Sequence, residues 1–147
     1  MKISGKYTLK ADPKVIWDMM LEPRILERVT PGIKKLETIG EDEYKAISEV
    51  RVGPVKGEFT GNLAVRDKVP EESCLLVVDQ KSKMGNVVAE IGMRFIAAAA
   101  GETEISYTGE AKLSGMLARM GQRIMSGVVS TLSKQFFQGM ERELEAR

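Results

Sequence analysis

The sequence predicts an α+β fold: a curved antiparallel β-sheet of about seven strands wrapped around a long C-terminal helix, with two short helices after the first strand. Three observations predict it. Six or seven short segments before Leu113 alternate apolar and polar residues with a period of two, separated by Gly, Pro and Asp turns. Between the first two segments, Asp12 to Val29 carries helix start and stop signals instead. From Leu113 to Glu145 the apolar residues recur at helical spacing. At 147 residues, with 43% hydrophobic and 29% charged side chains, residues 1–147 read as a single domain. A chain of that size buries roughly two thirds of its unfolded surface.

Ile3, Gly5, Tyr7 and Leu9 alternate with Lys2, Ser4, Lys6 and Thr8, which predicts the first strand. Asp12-Pro13 then combines an acceptor at the N-cap with proline at the first helical position. Val15, Ile16, Met19 and Met20 form the buried side of that helix, with Trp17 beside them. Pro23 ends it, Arg24 to Val29 form another turn or two, and Pro31-Gly32 breaks the chain. Ile33 to Thr38 is a weak strand, turned at Gly40-Glu41-Asp42. Tyr44, Ala46, Ser48, Val50 and Val52 then alternate against Lys45, Ile47, Glu49 and Arg51 up to the corner at Gly53-Pro54. Phe59, Gly61, Leu63 and Val65 face one way, and Glu58, Thr60, Asn62 and Arg66 the other. Cys74 to Gln80 is apolar on both sides at first, so its facing stays open. Val87, Ala89, Ile91, Met93 and Phe95 form the inner row of the next strand, Ala97 to Gly101 a loop, and Ile105, Tyr107, Gly109 and Ala111 the last inner row. Consecutive strands with short turns pair as antiparallel hairpins.

The final run reads as one 33-residue helix, Leu113 to Glu145. At 100° per residue, Leu117, Gly121, Ile124, Val128, Thr131 and Leu132 share one sector about 100° wide, with Arg119, Arg123, Ser130 and Lys134 opposite. Gly121, Gly127 and Gly139 lie inside the run, each costing about 1 kcal/mol relative to alanine. Either the helix approaches the sheet closely at these points, or room is left for a ligand. Phe137, Met140 and Leu144 lie on the side that is polar further upstream. They either pack on another element, such as the helix begun at Asp12, or form an exposed apolar patch.

Composition excludes several chemistries. Twenty-two basic and 21 acidic residues balance to +1, which argues against nucleic acid as a partner. Histidine is absent and Cys74 is the only cysteine, so neither a metal cluster nor a Cys/His nucleophile pair is available, and no metal or cofactor is expected. Glu58, Glu90 and Glu110 fall on outward rows as solvated side chains, and Gly53-Pro54-Val55-Lys56-Gly57 is a turn rather than a phosphate loop. With no 18-residue apolar run, no signal-like N-terminus and no disulfide possible, a cytoplasmic protein is expected.

A helix laid across a curved sheet encloses a space, and that space is the predicted functional site. Its expected lining is Tyr7, Phe59, Leu63, Val65, Ile91, Met93, Phe95, Tyr107, Met120, Ile124 and Val128, with no catalytic residue among them. Met84, Met93, Met116, Met120, Met125 and Met140 fall on the sheet interior or the covering helix, where thioethers either fill core gaps or accommodate a flexible tail. Tyr7, Tyr44 and Tyr107 point inward and need hydrogen-bond partners.

The order of elements resembles the helix-grip fold of START-type lipid carriers and birch-pollen-allergen-like proteins. Within that superfamily the chain resembles the CoxG family, the G subunit of carbon monoxide dehydrogenase. The stretches carrying the likeness are Gly5-Lys6-Tyr7-Thr8-Leu9, Pro31-Gly32 with Leu36-Glu37, Gly40-Glu41-Asp42-Glu43-Tyr44, Val52-Gly53-Pro54-Val55-Lys56-Gly57, Leu113-Ser114-Gly115 and Gln135-Phe136-Phe137. The resemblance implies an accessory protein of a molybdenum hydroxylase such as carbon monoxide dehydrogenase, helping that enzyme meet the membrane and its quinones. It supplies no catalytic residues. Some relatives carry a C-terminal extension for membrane attachment. Here the final helix reaches almost to Arg147, so at most transient contact with the inner face of the membrane is expected.

A non-enzymatic carrier of a quinone or lipid is therefore the first expectation. A cyclase- or dehydratase-like enzyme on the same fold is the alternative, and would need an inward acid or base such as Asp79 beside the tyrosines. An assembly factor with a filled core is the third.

Overall fold

The computed structural model describes residues 1–147. A first strand β1 (Lys2–Leu9) leads into helices α1 (Pro13–Met20) and α2 (Pro23–Val29). Strands β2 (Ile33–Gly40), β3 (Glu43–Val52), β4 (Val55–Val69), β5 (Ser73–Ser82), β6 (Gly85–Ala97) and β7 (Thr103–Leu113) follow, then α3 (Gly115–Arg119) and α4 (Gln122–Glu145). The seven strands form one sheet in the order β1-β7-β6-β5-β4-β3-β2, antiparallel throughout. Register shifts between Ile33 and Lys35, Thr38 and Gly40, and Arg66 and Val69 interrupt the ladders on the β2 side. Such irregularities bend strands and increase local twist, and so help the sheet curl.

The alternation read from sequence holds. Ile3, Tyr44, Ala46, Phe59, Ala89, Met93, Phe95, Ile105 and Ala111 are all buried on the concave face. Glu58, Glu90 and Glu110 are exposed, as expected. Pro13 opens α1 at the predicted position, but the Asp12 side chain makes no cap hydrogen bond. Its backbone carbonyl accepts from Val15 and Ile16 N–H instead, at 3.0 and 3.2 Å.

The C-terminal run differs from the single helix expected. It is two helices, because Gly121 sits between them at φ +85°, in the left-handed region that side-chain-bearing residues rarely adopt. The break resets the helical phase. Leu117, on α3, is fully buried, while α4 buries Met125 and Val128 rather than Ile124, which is 46% exposed. Close approach to the sheet is not found at these glycines: Gly121 and Gly127 have open space where a Cβ would stand, and at Gly139 α4 meets a helix instead. A Cβ at Gly139 would lie 3.0–3.1 Å from Val29 of α2.

Phe137 and Met140 are buried with Ile16, Trp17, Met19 and Val29, and Leu144 packs against the same cluster. Packing on α1 and α2 therefore accounts for the shifted apolar side of the last helix. This cluster closes one end of the concave face. A second cluster of Val55, Phe59, Leu117, Met125 and Val128 occupies the other end, under α3 and the start of α4.

Candidate ligand cavity

Between the concave face and α4 lies a cavity of about 290 Å³. Its floor comes from alternate residues of neighbouring strands: Ala46, Ser48 and Val50 of β3, Val55, Phe59 and Leu63 of β4, and Val78 and Gln80 of β5. Ile3, Val87, Ala111 and Leu113 extend the floor towards β1. The roof is Leu117 of α3 with Met125, Val128, Val129 and Leu132 of α4. Thr30, Pro31 and Ile33, where α2 joins β2, form one side. Period two in the strands and spacings of three and four in the helix deliver these residues to one space. Half-buried Ile33, Val50 and Leu132 among them leave the cavity reachable from solvent.

The floor is low at its centre. Ala46, Gly61 and Gln80 are cross-strand neighbours on β3, β4 and β5. A Cβ at Gly61 would lie 1.9 Å from the Asp79 carbonyl oxygen, so no larger residue fits there. Phe59 and Leu63 stand on either side of Gly61 along β4, and both line the volume.

The walls are almost wholly apolar, and their polar side chains are neutral: Thr30, Ser48 and Gln80. No ionisable side chain lines the space. Gln80 is buried to 8% exposure, and its Nε2 donates to the Asn62 carbonyl at 3.4 Å. That long bond leaves most of the amide's hydrogen-bonding capacity uncommitted. The acid considered from sequence, Asp79, is exposed on the convex side, because its neighbour Gln80 takes the inward position.

A second space of about 230 Å³ adjoins the first and shares Ile3, Val129 and Leu132 with it. Ile91, Met93, Tyr107, Phe136 and Phe137 line this space towards the closed end.

Of the residues predicted from sequence, the structure brings Phe59, Leu63 and Val128 into the main cavity and Ile91, Met93 and Tyr107 into the second. Five stand outside both. Tyr7 stacks on Phe137 at 5.0 Å and donates to Glu141, whose carboxylate, with partial burial, holds the phenol above its ordinary pKa. Phe95 packs edge-on to Trp17 at 5.4 Å in the closed cluster. Val65 lies towards the far end of β4, paired with Leu76. Met120 packs against the second core cluster at the end of α3, and Ile124 faces outward once Gly121 has shifted the phase. Tyr44 is buried as expected, and burial raises its pKa. Met116, read as interior, is 53% exposed.

Val129 was missed, and Met125, read as interior, was left out of the expected lining because the break at Gly121 was not visible; Gln80 was missed because Cys74 to Val78 is apolar at every position. Val55 was hidden directly behind Pro54. Its position two before Gly57 and four before Phe59 on one strand face was the available signal.

Known proteins fit this geometry. The sequence pattern of the CoxG family, the carbon monoxide dehydrogenase G subunit, matches residues 5–145. No curated protein matches the chain. Among solved structures, a conserved protein from Geobacillus kaustophilus is 31% identical with a TM-score of 0.95, covering 99% of this chain and 96% of that one. A START superfamily protein from Mycobacterium smegmatis has a TM-score of 0.79 at 8% identity, covering 99% of this chain and 97% of that one. The Zhui aromatase/cyclase from a Streptomyces species has a TM-score of 0.71 at 13% identity, covering 100% of this chain and 94% of that one. The last two show the START-type helix-grip fold alone. With nearly its whole length matched, the chain belongs to the CoxG family, named for the G subunit of carbon monoxide dehydrogenase.

Proposed function

We propose that this protein is a non-enzymatic carrier that holds one neutral hydrophobic molecule, a quinone or a lipid, between its concave sheet and α4. The carrying observation is the main cavity: about 290 Å³, with 17 hydrophobic residues among its 21 lining residues and no charged side chain. Moving an apolar guest into it contributes about 25 cal/mol for each Å² removed from water, before ordering costs are subtracted. No lining side chain offers a charged head a counter-charge, and the Met1 ammonium already donates to the Ala111 carbonyl at 2.8 Å and pairs with Glu110 at 3.6 Å, so a charged head left inside would be disfavoured. A carbonyl or hydroxyl could be met by Gln80 or Ser48. The volume suits a ring with a short tail, and a longer tail has the adjoining space behind Val129 and Leu132.

Family membership supports service to a molybdenum hydroxylase such as carbon monoxide dehydrogenase, with the cytoplasm and the inner membrane face as the place of work. No helix is long and apolar enough to cross a membrane. The cyclase reading is less favoured, because it needs an acid or base in the cavity and the lining offers neutral amide and hydroxyl groups.

Native mass spectrometry of detergent-free protein, before and after incubation with a short-tailed quinone or a monoacylglycerol, tests the proposal. One adduct of the probe's mass or of a co-purified molecule is expected. Bare polypeptide in every sample would refute it.

A further inference from the structure

The sheet has two edges, and the last helix lies over one of them. Along β1, Lys2, Ile3 and Ser4 share a small space with Ser126, Val129 and Ser130 of α4. At the other edge β2 pairs with β3 alone, and Lys34, Lys35, Glu37, Thr38 and Ile39 are exposed along it. The β3–β4 hairpin decides which backbone groups of β2 are free. Val52 pairs with Val55 across a two-residue turn, so hydrogen-bonded pairs recur at every second residue, and Tyr44 and Ala46 direct their backbone groups to β4. Lys45, Ile47 and Glu49 therefore direct theirs to β2, as the 2.9 Å bond from Glu49 N–H to the Gly32 carbonyl shows. Lys35 and Glu37 lie opposite Ile47 and Lys45 and spend their backbone groups on β3. Leu36, between them, aims its N–H and C=O away from the sheet.

This edge is complementary to itself. When two β2 strands run antiparallel about Leu36, the Leu36 N–H of each copy meets the Leu36 carbonyl of the other. Lys35 of each copy then stands opposite Glu37 of the other, on the convex face that exposed Lys45 shares with Glu37. Each Glu37 carboxylate thus lies between Lys45 of its own chain and Lys35 of the second copy. Within one chain Lys35 and Glu37 pair at 3.7 Å with side chains 65% and 53% exposed, which leaves both open to a further partner. Sliding the second copy by two residues in either direction opposes Lys35 to Lys35 or Glu37 to Glu37, and like charges directly opposite are destabilising. A slip of one residue turns every side chain to the wrong face. Lysines and bulges often block an exposed edge. Here the register shifts fall between Ile33 and Lys35 and between Thr38 and Gly40, so Lys35 to Thr38 stays regular, and a glutamate answers its lysine.

We propose that β2 is a self-association edge: two copies of this chain join about a two-fold axis at Leu36 and merge their sheets into one of fourteen strands, seven from each. The contact is isologous, since the same residues serve on both sides. Directly opposed residues share a face, so both α4 helices lie on the same side of the joined sheet. The same axis brings Ile39, 51% exposed, level with Ile33 of the second copy. An eight-residue strand makes a small contact, which places the dimer in the weak, concentration-dependent class. The inference rests on register and charge and stands apart from the carrier reading.

Sedimentation equilibrium of the full chain, from micromolar to millimolar concentration, tests this. The mass should rise from 16.2 kDa towards twice that value. Lys35→Glu and Glu37→Lys each oppose like charges at two places in the pairing, so each variant alone should self-associate about ten-fold more weakly. Mixed in equal amounts, the two variants present opposite charges to each other and should associate as tightly as the parent. Leu36→Pro removes the outward N–H and leaves the ladder to β3 intact, so it should stay monomeric at every concentration. Circular dichroism confirms that each variant is folded, and the charge-swapped pair decides the matter even if the proline variant is not. Lys83→Glu, in the β5–β6 turn, should change nothing. A parent mass of 16.2 kDa at every concentration would overturn the proposal. So would single charge variants that associate like the parent, or a mixture of the two that gains nothing over either alone.

Discussion

Enlarging Ala46 to leucine distinguishes a cavity from a filled core by the sign of its effect on stability. Ala46 is 3% exposed, lines the cavity and has Gly61 as its neighbour on β4, so a longer side chain has room to extend over the floor. The three added carbons bring about 2.4 kcal/mol at about 0.8 kcal/mol for each buried methylene. Fixing the leucine rotamer costs about 0.5–1 kcal/mol. The ligand-free protein should therefore gain about 1.5 kcal/mol, a rise in Tm of about 3–6 °C for a chain of this size. The same carbons exclude an equal part of a guest, so binding of a short-tailed quinone should weaken by about 2 kcal/mol, roughly thirty-fold. Chemical denaturation and a fluorescence-quenching titration on the same samples measure both. If the interior were already packed, the substitution would instead cost about 1–3 kcal/mol. Loss of stability, or a gain with unchanged affinity, would refute the reasoning.

The two remaining glycines of α4 should respond in opposite directions. Gly127 has open space where a Cβ would stand, so Gly127→Ala should add about 0.5–1 kcal/mol, whereas Gly139→Ala presses on Val29 backbone and should lower the denaturation midpoint. Gln80→Leu should weaken binding of a quinone more than that of a hydrocarbon of similar size, and equal losses for both would remove Gln80 from ligand recognition. Burial pushes the Cys74 thiol up to about 11 from 9.0, so a thiol reagent at pH 8 should react with the native protein far more slowly than with the unfolded chain. The linked stability is present below the unfolded value near 9 and is lost as pH rises towards 11, which a denaturation midpoint followed between those limits checks.

The sheet was legible because a half-buried antiparallel strand must alternate, and Tyr44, Ala46, Phe59, Ala89 and Ala111 all fall on the predicted face. The helix phase was not, because a lone glycine within helical spacing does not announce whether the chain continues through it. At Gly121 it does not, and the change moved Ile124 outward and Met125 inward. Gln80 was hidden by a run with no polar contrast, Cys74 to Val78, where period-two reading has nothing to act on. Phe137 and Met140 were visible as a shifted stripe, but only the fold shows that α1 and α2 cover them.

The account depends on a guest entering the space beneath α4. Methyl-labelled NMR spectra recorded while a short-tailed quinone is added test this most directly. Methyl signals of Ala46, Leu63, Met125 and Val128 should shift together and saturate at one equivalent, while those of Ile39 and Ile96, on the exposed surface, stay in place. Saturable shifts confined to the exposed methyls, or no saturable shift at the cavity residues, would contradict it.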